Sequence, residues 1–154
     1  MRIPHDSYIL VADGAKMLFF RNEGDADNPN LTVIAAEQQA DQYDRDIKTD
    51  LAGQKPGGGG VLSGQGSTAG EADFHRQAED RFAAEAAERI NRAALANEFE
   101  RLIIVAPPKT LGELRKHYHK QVTGKIAAEI PKDLTGHPVD RIESVLQNYE
   151  ETNG

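Results

Sequence analysis

A chain of 154 residues with 38% hydrophobic content has the size of one domain with a core of its own, and residues 1–150 are expected to form it. The absence of cysteine excludes disulfides, thiolate metal centres and cysteine nucleophiles, and suits a reducing compartment such as the cytoplasm. A formal net charge of -7 opposes indiscriminate adhesion to nucleic acid, and no apolar run reaches the length of a secretory signal or a membrane span, so a soluble cytoplasmic chain is expected.

Ser7 to Ala12 and Lys16 to Arg21 are β-rich runs joined by Asp13-Gly14, a pair that tolerates the positive backbone angles of a tight hairpin. After a polar turn through Asp25, Asn28, Pro29 and Asn30, the run Leu31 to Glu37 reads as a third strand that completes a meander. Residues 38–72 carry Asp41, Asp44, Asp46 and Asp50, then the glycine-rich strings GQKPGGGG and SGQGSTAGE. With few apolar anchors to offset the entropy of ordering, a long mobile loop is expected there. Phe74 to Asn97 is the clearest helix: Phe82, Ala83, Ala86, Ala87, Ile90 and Ala94 share an apolar stripe, and Glu85 with Arg89 and Glu88 with Arg92 pair on the solvent face.

Leu102 to Ala106 is a continuous apolar run, the pattern of a strand covered on both faces, and Pro107 and Pro108 stop it because neither can donate to a ladder. Thr110 and Glu113 then have capping-box spacing, and Leu111, Leu114, Tyr118 and Val122 place one helix against the sheet. Lys125 to Ile130 reads as a fifth strand closed by Pro131. Pro138 stands as the first residue of a last helix whose Val139, Ile142, Val145, Leu146 and Tyr149 share a face. Three antiparallel strands followed by alternating helices and strands describe an α/β mixed sheet with helices on its faces. Right-handed crossovers then make a ribonuclease H-like topology the natural candidate. The two-metal nuclease that this topology invites is disfavoured, because Asp13 is explained by the hairpin and neither the 101–106 strand nor the apolar face of the long helix carries an acid. No metal or other cofactor is expected.

Lys109, Arg115, Lys116, Lys120 and Lys125 concentrate positive charge in a chain that is acidic elsewhere. Projected from one side of a helix they would contact phosphates; a solvated helix face is the plain alternative. His75 precedes Glu79 by one helical turn, so the carboxylate is able to orient the imidazole for proton transfer, although that spacing is common by chance. His117 and His119 point in different directions on a helix and make no compact metal pair. Asp133 and Thr135, in KDLTGHP, read as caps of local backbone amides, and His137 as shaping the start of the last helix. No P-loop, nucleophile elbow or dinucleotide fingerprint is present.

The segments YILVADGAKMLFFRN, DFHRQAEDRFAAEAAERIN, RLIIVAPPKTLGELRKHYHK and EIPKDLTGHPVDRI together resemble the bacterial host attachment protein family over nearly the whole chain. That resemblance groups the chain with bacterial relatives of the middle domain of archaeal and eukaryotic peptide-chain release factors, and implies the same mixed-sheet architecture and ribosome-associated work. In those release factors the loop before the long helix bears a Gly-Gly-Gln motif that helps water cleave the ester of peptidyl-tRNA. The nearest strings here are Ala52-Gly53-Gln54 and Ser63-Gly64-Gln65-Gly66, so peptidyl-tRNA hydrolysis is not carried over and Gln65 is the better-placed candidate. A chain without an export signal would influence host attachment only indirectly. The expected function is a ribosome- or RNA-associated module acting through a basic helix at 109–125 and the glycine loop. The alternative is a small hydrolase or ligand-binding domain using His75 and Glu79 with the glycine loop, and a third reading is an adaptor that presents a sheet or helix face to a protein.

Overall fold

The structure of the chain, a computed structural model, describes residues 1–38 and 59–150, with side chains at 1–38 and 73–150. Three strands open it: β1 (Tyr8–Ala12), β2 (Lys16–Asn22) and β3 (Leu31–Gln38). They pair antiparallel in succession, Tyr8 opposite Arg21 and Lys16 opposite Gln38. β4 (Leu102–Val105) lies parallel to β1, and β5 (Ile126–Ile130) parallel to β4, so the five-stranded mixed sheet has the order β3-β2-β1-β4-β5. Four helices complete the described residues: α1 (Gly59–Leu95), α2 (Pro108–Arg115), α3 (Lys120–Thr123) and α4 (Val139–Asn148).

Side chains alternate between the two faces of a strand, and this divides the apolar residues into two cores. On one face Leu10, Phe19, Leu102 and Ile104 pack against Phe82, Ala86 and Ile90 of α1 and against Leu111, Leu114 and Val122. On the other Ile9, Val11, Phe20, Ile103 and Val105 meet Ile142 and Leu146 of α4. Ile9, Leu10, Val11 and all four residues of β4 are fully buried, as the uninterrupted apolar runs require of strands covered on both sides.

Several local expectations are corrected. The hairpin after β1 uses no positive φ at Gly14; instead the Asp13 carboxylate shapes the turn, its Oδ1 accepting the amides of Ala15 at 2.8 Å and Lys16 at 2.6 Å. A Cβ at position 14 would lie 2.7 Å from Cδ and Cγ of Glu79, so the end of that flexible side chain would have to move aside.

The glycine-rich loop expected to end at about residue 72 is shorter on its C-terminal side, because α1 is helical from Gly59 rather than from Phe74. Extending an existing helix orders one residue per hydrogen bond gained, so even glycine, at about 1 kcal/mol per residue against alanine, does not stop it. The remainder of that expected loop, 39–58, lies outside the described residues.

The capping box does not form, since Pro107 is the N-cap of α2, Pro108 begins the helix, and no side chain caps it. Proline's fixed φ suits that first position and moves the start upstream of Thr110. The single basic helix expected over 109–125 is two. Its break is at His119, whose extended backbone (φ -72, ψ 155) caps α3 and whose Nδ1 accepts the Gln121 amide at 3.1 Å. Pro138 is the N-cap of α4 rather than its first residue. Arg89, expected to pair with Glu85, instead reaches Glu37 of β3 at 3.0 Å, and Arg92, expected to pair with Glu88, has no carboxylate within ion-pair distance among the described residues.

Candidate functional site

β1, β4 and β5 run parallel, and β3 shares their direction because both it and β1 oppose β2. The chain therefore leaves Ala12, Gln38, Val105 and Ile130 at one edge of the sheet, the carboxyl edge, where open α/β sheets form their ligand crevices. Three polar strings of the sequence meet there: Asp13-Gly14 after β1, Pro107 to Lys109 after β4, and Lys132 to Thr135 after β5.

The Thr135 hydroxyl stands at the centre of this meeting. It lies 2.7 Å from Oδ2 of Asp13 and 3.0 Å from Oδ1 of Asp133, and the residue is only 6% exposed. A hydroxyl has one proton, so it donates to one carboxylate at a time, and the shorter contact is to Asp13. With Ala15 and Lys16 on its other oxygen, Asp13 accepts three donors and ties the β1–β2 turn to the loop after β5. On the other side of the turn, Glu79 of α1 rests against Gly14 and its Oε2 is 3.8 Å from Nζ of Lys109. Thr135, Asp13, Gly14, Glu79 and Lys109 thus form a continuous row across the edge.

Asp133 caps locally as expected, accepting the Thr135 amide at 3.4 Å. The bond from Thr135 to Asp13 was beyond a local reading, since its partners are 122 positions apart. The signal that could have found it is topological: polar residues directly after parallel strands share an edge.

Of the residues singled out in the sequence, His75, Glu79 and Lys109 lie toward this edge, His75 exposed and one turn before Glu79. Gln65 is on α1 about 15 Å further along the helix axis from His75, and its side chain lies outside the described residues. The other cations descend from the edge. Nε of Arg115 is 2.9 Å from Glu129, and Nζ of Lys116 is 2.7 Å from Glu113, whose hydrogen bond raises the Lys116 pKa. Lys120 is exposed on α3, whereas Lys125 reaches the far end of the sheet, donating to the Phe99 carbonyl at 3.0 Å and lying 5.6 Å from that ring's centroid. The five cations are therefore strung along the height of the sheet, three of them beside carboxylates, rather than gathered on one helix face.

Beneath them Tyr118 packs into the core with its hydroxyl buried and unpartnered, and this burial pushes its pKa upward. Among the described residues no group of three His, Asp or Glu side chains is arranged to hold a metal, and no helix is long and apolar enough to cross a membrane.

The family model for bacterial archaeo-eukaryotic release factor family 12 matches residues 6–146. No curated protein matches the chain.

Proposed function

Because the chain belongs to bacterial archaeo-eukaryotic release factor family 12, we propose that it is a translation-related module that associates with the ribosome or with RNA through the carboxyl edge of its sheet and the basic flank that descends from it along α2 and α3. The family match over residues 6–146 is the observation that carries this reading. Two features of the fold support it. The carboxyl edge gathers three separated polar strings into one surface, and α1 continues N-terminally from Glu79 toward the glycine-rich residues at 59–66.

Lys109, Lys116 and Lys120 are the proposed phosphate contacts, with Arg115 and Lys125 contributing from positions where each already serves the fold. Lys109 and Lys116 have side chains 67% and 65% exposed, and pairs of that kind are worth about 0–1 kcal/mol, so their carboxylates yield readily to a phosphate. A cytoplasmic location, a ribonuclease H-like topology and an indirect part in host attachment belong to the same proposal, which assigns no reaction.

Cosedimentation with ribosomes over a salt series tests it. Association is expected at low salt, weakening as salt rises, and the triple variant Lys109→Glu, Lys116→Glu, Lys120→Glu is expected to lose most of it. Absence of association at low salt, or indifference to the triple reversal, overturns the proposal.

A further inference from the structure

A concavity lies away from the carboxyl edge, between the last turns of α1 and the β3 side of the sheet, with a volume of about 410 Å³. Tyr8, Phe19, Ile34, Ala35, Ala93 and Ala96 make its apolar lining. It exists for two local reasons. The register of β2 against β3 shifts between Phe19 and Phe20, so that Phe20 faces Val33, Phe19 faces Ala35, and Ile34 is the extra residue, left 48% exposed. Above it Ala93 of α1 and Ala96, just past the helix end, present methyl groups too short to fill the space. The floor is fixed by an edge-to-face contact between Tyr8 and Phe19, centroids 5.3 Å apart, and a tilted one between Tyr8 and Phe99 at 5.1 Å.

The polar groups around this lining are unequal. Arg89 is already held by Glu37 at 3.0 Å. Arg92, one turn on along the same flank, is exposed, and among the described residues no carboxylate lies within ion-pair distance of it. Glu98 stands past the helix end, and burial followed by the Glu98 carboxylate raises the Tyr8 pKa. Arg92 is the one guanidinium of the lining without a carboxylate partner among the described residues, and beside an apolar floor it offers a place for one carboxylate on an apolar body. A planar guanidinium takes a carboxylate through two parallel hydrogen bonds. A dianionic phosphate would bring a second negative charge to a lining that already carries the Glu98 carboxylate.

We infer that this groove is a binding site for a small organic acid, a monocarboxylate with one aromatic ring or a short alkyl body, its carboxylate on Arg92 and its apolar part over Ile34 and Ala96. The volume is at the small end of the range for ligand pockets, about 300–1,000 Å³, which favours a compact molecule over a peptide strand. The site is independent of the ribosome proposal, since it shares no residue with the carboxyl edge.

The test is displacement of the fluorescent anion anilinonaphthalene sulfonate from the whole protein by 4-phenylbutyrate and by the uncharged 4-phenylbutanol. The acid is expected to displace the dye at a concentration at least about tenfold lower than the alcohol, the advantage of a charge-assisted bidentate contact. Arg92→Glu should abolish that advantage, and Ala96→Phe, at an exposed position whose ring would occupy the groove, should abolish displacement by both. Thermal melts of the variants confirm that they fold. Equal displacement by acid and alcohol, or an Ala96→Phe variant that binds like the parent, overturns the inference and leaves only unspecific apolar adhesion.

Discussion

Thr135 shows how much one hydroxyl can do when it is buried between loops. Its bond to Asp13 joins the β1–β2 turn to the loop after β5, the hydroxyl end withdrawn from water and the carboxylate end half-buried. Replacing Thr135 with valine keeps the shape and removes the donor, leaving Oδ2 of Asp13 short of a partner. The expected loss is about 1–3 kcal/mol, read from urea denaturation, while Thr135→Ser retains most of the stability. A valine variant as stable as the parent would mean that water replaces the hydroxyl without cost. Asp6 offers a pH-dependent counterpart. It adopts a left-handed φ of 68, tolerable for aspartate, and accepts Nε of Arg21 at 2.9 Å. That hydrogen bond is the main reason its pKa is lowered, with the charge of Arg21 adding to it. A depressed carboxylate stabilises the fold above its unfolded pKa, about 3.9, and loses that contribution as pH falls through the lower native value. Arg21→Gln is therefore expected to raise the Asp6 titration midpoint followed by carboxyl carbon NMR, and to make the fall in stability on the acid side shallower. An unchanged midpoint would remove Arg21 as the cause.

The break between α2 and α3 is set by a residue from another helix. Asn91 of α1 donates Nδ2 to the His117 carbonyl at 2.9 Å and accepts the His119 amide on Oδ1 at 2.8 Å, so one side chain satisfies both backbone groups that the interruption exposes. Asn91→Ala should cost about 1–2 kcal/mol and speed amide exchange at His119 more than within α2. Protection at His119 equal to that of the parent would show that the break holds itself. This contact also marks the limit of what periodicity conveys. Leu111, Leu114, Tyr118 and Val122 satisfy a helical stripe and all join the same core, yet the backbone between them is not one helix. The stripe reported which residues are buried, and the long-range clamp decided the path between them. Strands were legible for the same reason that the break was not: β1 and β4 are buried on both faces, so an apolar run alone identifies them, whereas the helix start at Pro108 answers to proline geometry. At the candidate site the letters of KDLTGHP were visible as polar and local, but their partner Asp13 becomes visible only once parallel strands bring both to one edge.

At the level of the whole molecule the sheet is the shared wall of two cores, and its edges are chemically distinct. The carboxyl edge carries the row from Thr135 to Lys109, while the organic-acid groove opens on one flank nearer the other end. Both depend on the rigidity of β1 and β4, since these strands position Asp13, Tyr8 and the turn at Pro107 at once. If each core were a separate cooperative unit, damage to one would leave the other standing. Ile103 and Ile104 test this directly, being consecutive, fully buried, and turned to opposite cores. Ile103→Ala empties space beside α4, and Ile104→Ala empties space beside α1; each should cost about 2–5 kcal/mol. Because both cores share β4, each variant is expected to unfold in a single transition, with far-UV and near-UV circular dichroism tracing the same curve in denaturant. Separated curves for Ile103→Ala, with tertiary signal lost before helix content, would show that the α4 side melts alone and that the two faces are coupled more loosely than a common sheet implies.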